Sequence, residues 1–170
     1  MIVLFAVQSA TAQQQKIGYI DTDYILSQMS EYEGIQQQLE SISSEWNARL
    51  EKMKNEVEQL KEDFAAKEIL YTDKLRKEKK QEIEAKMKQR QQFLDQKFGA
   101  EGEYFRKQKE LLEPIQRKIF NAVNSVAQRK NFDFIFDKAQ KSDMIYSAQE
   151  WNLNKEVLEE LGVTLNESSN

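Results

Sequence analysis

Cysteine and histidine are both absent from the 170 residues. Their absence excludes disulfides, thiol nucleophiles, Cys/His zinc sites and the usual imidazole general base. Proline occurs once, at Pro114, and glycine five times. No Gly-rich phosphate loop is present, so nucleotide-driven cycling is not expected. The apolar run Ile2–Val7 is far too short for a bilayer, which needs ~20 residues. Many Asp and Glu residues are present, but no pair sits in a recognisable cleft context. The chain is therefore expected to be no enzyme and to carry no metal or cofactor.

What is there is charge and helix. Charged residues make up 32% of the chain, with net charge −4, and Glu, Lys, Gln, Arg and Leu dominate its middle, the composition of long helices. The start differs. The apolar run is followed by small residues ending Ala10-Thr11-Ala12, the pattern of a signal peptide over 1–12 with a truncated n-region. The mature chain would then start at Gln13 and lie in the periplasm.

"KIGYID", Lys16 to Asp21, reads as a short strand with Ile17 and Tyr19 on one face and Gly18 and Ile20 on the other. Asp21 or Thr22 can cap a short helix carrying Ile25, Leu26 and Met29. Ser30 with Glu33 forms a capping-box pattern that opens a longer helix. Its apolar residues are Ile35, Leu39, Ile42, Trp46, Leu50, Met53, Val57, Leu60 and Phe64. These form a heptad seam with one stutter, at Trp46. From Glu31 to Leu70 such a helix is ~60 Å long, too long for a small globular core, so it is expected to project.

"ILYTDKLRK" interrupts the seam, and Thr72 or Asp73 can cap a second helix. Ile83, Met87, Leu94, Phe98, Phe105, Leu112, Ile119 and Val126 then continue at spacings of four and seven. Two seams separated by a short break predict an antiparallel helical hairpin. The outgoing arm, Glu31–Asp73, is net −6, and the return stretch Lys74–Lys97 is net +5. Opposite signs suit pairing, although each exposed ion pair contributes little. Gly99 and Gly102 weaken the return helix and predict a joint, which alanine at both sites would straighten and stiffen. Pro114 is a second irregularity of the arm, after which "PIQRKIFNAVNSVAQRK" reads as a body helix.

In "KNFDFIFDK", Phe132, Phe134 and Phe136 share one strand face, with Asp133, Ile135 and Asp137 on the other. A loop, "KAQKSD", leads to a partner strand "MIYSA" containing Ile145. In the closing helix of "WNLNKEVLEELG", Asn154 is the expected cap, Leu153 and Leu158 a staple, and Gly162 the terminator. Three short strands bury too little to stand alone, so several chains are expected to pool them. Ile17, Tyr19, Phe132, Phe134, Phe136 and Ile145 are the candidate oligomer core.

The fold class on this reading is mainly α with a small β body, an α+β arrangement in which a long helical-hairpin arm projects from short oligomeric strands. The expected segments are 1–12 signal peptide, 13–30 strand and short helix, and 31–113 arm, with its tip near 69–74 and its joint near 99–102. Residues 114–165 would form the body helix, β-hairpin and C-terminal helix, and 166–170 a disordered tail.

"KIGYIDTDYIL", the long charged hairpin, "LLEPIQRKIFNAVNSVAQRKNFDFIFDKA", "MIYS" and "NLNKEVLEELG" together resemble the OmpH/Skp family of periplasmic chaperones. The likeness covers nearly the whole mature chain. Its Bacteroidetes-type branch carries a similar "FG-x-EGE" element in the return arm. The resemblance implies a jellyfish-shaped homotrimer, with a three-fold body built from N- and C-terminal strands. Its arms enclose a cavity for unfolded outer-membrane β-barrel proteins, held without ATP by many weak contacts. The best-known member is strongly basic, whereas this chain is acidic. The lipopolysaccharide patch proposed in that relative has no position-by-position match here.

Other readings stand beside these. Lys74–Arg90 is a solvated face paired with the acidic arm, or a contact for anionic lipid or lipopolysaccharide. No aromatic residues interleave it, so a nucleic-acid partner is not expected. Near the tip, Phe64, Ile69, Leu70, Tyr71 and Leu75 either touch clients or close the hairpin. The alternative to a holdase is a coiled-coil spacer of the cell envelope.

Overall fold

The computed structural model describes residues 15–139 and 144–164. The expected signal peptide and C-terminal tail fall outside them. The chain is mainly helical, with two short strands and a long helical hairpin, which is the fold class expected. It resolves into two compact units, one spanning Ser30–Gln116 and the other formed by the flanking segments.

In the flanking unit, strand β1 (Ile17–Ile20) pairs in parallel with β2 (Phe134–Asp137), placing Ile17 opposite Phe134 and Tyr19 opposite Phe136. Asp21 ends β1 and caps α1 (Thr22–Ser27), its carboxylate accepting from the Tyr24 N–H at 3.0 Å. The last turns of α4 (Glu103–Lys130) and the short α5 (Asn154–Glu160) complete this unit. Its core is Ile25, Val126, Leu153, Val157 and Leu158, all essentially inaccessible to water. Each such burial stabilises the unit by ~1.5–3 kcal/mol. Gly18 allows the close approach of sheet and core, because a Cβ there would lie 2.8 Å from Leu153 Cδ1 and 2.9 Å from Phe132 Cε1.

The two helix ends here are closed the same way. Asn131, at φ 55°, and Gly162, at φ 73°, both take the left-handed conformation. After Asn131 the Phe132 N–H returns to the Ala127 carbonyl, and after Gly162 the Val163 N–H returns to the Leu158 carbonyl. Both are Schellman closures of orphan carbonyls. Asn154 is not the cap of α5. The Asn152 side chain accepts from the Asn154 N–H at 2.9 Å, which frees Asn154 Oδ1 to accept from the Asp21 N–H at 2.7 Å.

In the other unit, α2 (Ser30–Lys67) and α3 (Asp73–Phe98) form the hairpin, joined by a 3-10 turn at Glu68–Leu70. Thr72 caps α3, accepting from the Leu75 N–H at 3.3 Å. Leu39, Leu50 and Val57 are buried on α2, but α3 buries no residue fully. The return seam differs from the apolar heptad read in the sequence. Met87 and Phe105 face solvent, while Lys86, Arg90 and Lys97 are partly covered. Their alkyl stems supply apolar surface that the sparse leucines of α3 do not.

The return arm is interrupted between Phe98 and Glu103. The Gly99 N–H still reaches the Asp95 carbonyl at 2.9 Å, and the Gly102 N–H reaches the Gly99 carbonyl at 2.8 Å. Neither glycine lies within a helix, so the expected stiffening by alanine does not follow. A Cβ on Gly99 would fall 2.4 Å from the Asp95 carbonyl oxygen, and one on Gly102 would fall 2.8 Å from the Gly99 backbone. Pro114 likewise does not break the arm or begin a helix, because α4 runs through it from Glu103. The carbonyl of Glu110 only forgoes its helical donor. Gly99→Ala should therefore lower stability by about 1–3 kcal/mol, as overpacking does. Urea denaturation followed by circular dichroism checks this; an unchanged midpoint would contradict it.

Candidate functional site

The alternation of phenylalanine and aspartate in "NFDFIFD" now has a physical meaning. Asp133 Oδ2 accepts from the Lys16 N–H at 2.7 Å, just before β1. Asp137 accepts from the Thr22 N–H at 3.0 Å and from Thr22 Oγ1 at 2.5 Å, just after it. The two carboxylates thus pin β1 at both ends. Asp137 also satisfies an orphan N–H in the first turn of α1, as an anion at a helix N-terminus should.

The three phenylalanines do not share one face. Phe132 precedes β2 and turns to the Gly18 side, packing edge-on to Trp151 at 6.3 Å beneath the Lys16 ammonium at 4.3 Å. Phe134 and Phe136 lie on the Ile17 side and remain 50% and 48% exposed. The partner strand expected at residues 144–148 does not form, and the stretch has no regular pairing. β2 takes β1 as its parallel neighbour, so Ile145 is left fully exposed and Tyr146 nearly so. Tyr19, by contrast, is buried. A cavity of about 610 Å³ opens beside β1, lined by Lys16, Ile17, Tyr19, Met144, Tyr146 and Trp151. Of the six residues expected to form an oligomer core, Ile17, Phe134, Phe136 and Ile145 thus present apolar surface, while Tyr19 and Phe132 pack within the chain.

At the end of the hairpin the five candidate residues also separate. Phe64 and Tyr71 stack at 5.9 Å, with the Lys80 ammonium 5.5 Å from the Phe64 ring, and close the turn. Arg76 binds Asp73 at 3.0 Å and approaches Glu68 at 3.8 Å. Ile69 and Leu70 point out, 90% and 79% exposed, and Leu75 is partly exposed. Two large aliphatic side chains held in water by the turn are an apolar contact point.

The basic run is engaged at several points. Lys86 reaches Glu56 across the hairpin at 3.5 Å, Lys80 reaches Glu68 at 3.8 Å, and Lys79 pairs with Glu82 at 2.7 Å. The last contact raises the Lys79 pKa, chiefly through the hydrogen bond. The hydrogen bond from Lys97 holds the Glu103 carboxyl below its usual range. In the flanking unit, burial pushes Glu156 upward, but the Lys130 hydrogen bond, backbone hydrogen bonding and neighbouring positive charge together leave it depressed.

Sequence reading named Asn154 and Asp137 but missed the contacts they make, and it gave Lys97 no role of its own. Only Asp137 carried a signal, as a short acidic side chain at a strand end beside a helix start. Among the described residues no group of three or more acidic side chains is placed to hold a metal, and no helix is long and apolar enough to cross a membrane. Asp137→Ala should cost about 1–3 kcal/mol by leaving the Thr22 donors unmatched. Its denaturation midpoint should fall, whereas that of Asp133→Asn should fall less.

The family model for OmpH, described as outer membrane protein (OmpH-like), matches residues 16–161. The chaperone protein Skp of Vibrio cholerae serotype O1 is 30% identical over 164 residues, 93% of this chain and 91% of that one. The crystal structure of an OmpH-like outer membrane chaperone from Caulobacter crescentus aligns with a TM-score of 0.70. That alignment covers 98% of this chain and 95% of that one at 11% identity, a likeness of fold.

Proposed function

The chain belongs to the OmpH-like family, a family of outer-membrane chaperones, and from that footing we propose that it is an ATP-independent holdase of the periplasm. Its clients are unfolded outer-membrane β-barrel proteins, and it works as a homotrimer whose arms enclose them. The observation that carries this reading is the placement of apolar side chains in water. Ile69 and Leu70 crown the hairpin, Ile17, Phe134 and Phe136 lie open on the small sheet, and Ile145 is fully exposed in the stretch after it.

The two surfaces suit different tasks. A sheet of two strands is marginal in water, and one with half-exposed phenylalanines gains by continuing into another copy. Burying each phenylalanine fully contributes ~1.5–3 kcal/mol. The hairpin turn is instead a small, isolated apolar point of the kind that gives weak contacts. Many weak contacts, summed over several arms, retain a client yet let it leave. The interrupted return helix suits this better than a rigid envelope spacer. Lipid contact through Lys74–Arg90 is the weaker reading, because Arg76, Lys80 and Lys86 reach carboxylates of the arm itself.

Two outcomes are expected. Without nucleotide, the protein in slight excess should suppress light scattering by an outer-membrane β-barrel protein diluted from urea. Ile69→Ser combined with Leu70→Ser should keep the melting temperature, since exposed changes fall within about ±0.5 kcal/mol, while protection weakens. Full aggregation at several-fold excess would return the reading to the spacer. Multi-angle light scattering should give a trimer mass, shifted toward monomer by Phe134→Asp. A folded wild type that is monomeric at tens of micromolar would refute the assembly.

A further inference from the structure

The break in the return arm is spanned by a charged side chain beside an aromatic contact. Lys97 sits in the last turn of α3 and Glu103 is the first residue of α4. Their ammonium and carboxylate pair directly across Gly99–Gly102. The same ammonium lies 4.5 Å from the centre of the Trp46 ring on α2 and 5.8 Å from that of Phe93. Phe93 also carries the Arg49 guanidinium at 4.8 Å. Phe98 meets Trp46 edge-on at 5.7 Å and Tyr104 at 6.0 Å. Lys97 therefore touches all three helices that meet at the break.

We propose that Lys97 is a latch that sets the stiffness of the hairpin. In the closed state its ammonium binds Glu103 and Trp46 together, which holds α3, α4 and α2 in one geometry. When it lets go, only the Gly99–Gly102 backbone and the Phe98–Tyr104 ring contact join α3 to α4, and the arm bends there. Three features support the assignment. The four-residue break retains only local backbone hydrogen bonds, from Gly99 to Asp95, Gly102 to Gly99 and Arg106 to Gly102. A helix interrupted by two glycines whose backbone admits no Cβ cannot regain rigidity by helix propensity, so rigidity must come from side chains. The Lys97 side chain is only 20% exposed, and a desolvated ammonium gains more from an aromatic face than an exposed one does. Trp46 stands where the α2 seam stutters, so the irregular levels of the two arms coincide around this cation.

The latch is a property of the arm and stands whether or not the arm holds clients. Hydrogen exchange read by mass spectrometry on the intact protein tests it. Lys97→Met keeps the alkyl stem and removes the charge. Amides of Gly99 to Arg106 should then exchange roughly 5- to 30-fold faster, while those of Glu82 to Gln92 keep wild-type rates. Lys97→Arg should restore most of the protection, and Glu103→Gln should give an intermediate rate. Exchange in Lys97→Met equal to wild type would overturn the proposal. So would an acceleration spread evenly along α3, because that reports general destabilisation rather than a local latch.

Discussion

The pairing of β1 with β2 is the constraint on which the rest depends. The two strands are parallel, and parallel neighbours cannot be joined by a tight turn. The Lys16–Asp133 contact links residues 117 positions apart. Everything between has to leave the sheet at Ile20 and re-enter it at Phe134, beside Ile17 at the opposite end. A helical hairpin returns the chain to the end it left whatever its length, and the last turns of α4, up to Lys130, supply the remaining crossover. The sheet itself can be as small as four residues per strand because Asp133 and Asp137 fasten its ends, and because Gly18 lets Leu153 and Phe132 press against its back.

Along the hairpin, a different compromise operates. An arm with solvent around it cannot afford a broad apolar face, and α3 is correspondingly poor in leucine. Its inward positions are shared among Ile83, Leu94, Phe98 and the stems of lysine and arginine. That choice keeps a long helix hydrated outside and still gives α2 something to pack against. It also explains why aromatic–cation stacking recurs, at Lys80 on Phe64 and Arg49 on Phe93. Once cations occupy the seam, aromatic rings are the apolar partners that suit them best.

Much of this was legible in the sequence. The heptad spacing on α2, the capping residues Asp21 and Thr72, and the terminator Gly162 each rest on local chemistry, and local chemistry is what a sequence displays. The hairpin followed from two seams and a gap. The failures are of another kind. Heptads marked Met87 and Phe105 as inward, but within α3 the inward position after Ile83 falls three residues on, at Lys86, and before Phe105 a break of four residues resets the helical phase. Phe132 was assigned to the face of Phe134 by period two, yet β2 begins only after it. Asn154 has good N-cap chemistry, but the N-cap position falls on Leu153 and Asn152 accepts from the Asn154 N–H, leaving the Asn154 side chain for a partner 133 residues away. The strand expected around Ile145 needs a neighbour, and no property of "MIYSA" alone says whether its own chain supplies one. Of the candidate surface residues, the split between Phe64 and Tyr71 on one side and Ile69 and Leu70 on the other depends on turn geometry that composition does not encode.

The wide separation of β1 and β2 also bears on the order in which the chain acquires its structure. Bringing Lys16 to Asp133 through an unstructured loop of that length would cost about 4 kcal/mol in closure entropy alone. Four residue pairs of sheet and a few hydrogen bonds are a poor return on such a search. The pairing of α2 with α3 needs only a short local closure around Glu68–Leu70, and contacts of small sequence separation form quickly. Each further turn of helix zipped along the arm shortens the loop that remains open between the strands. The arm is thus a folding scaffold before it is anything else: the part of the molecule farthest from the sheet in sequence is the part that makes the sheet findable.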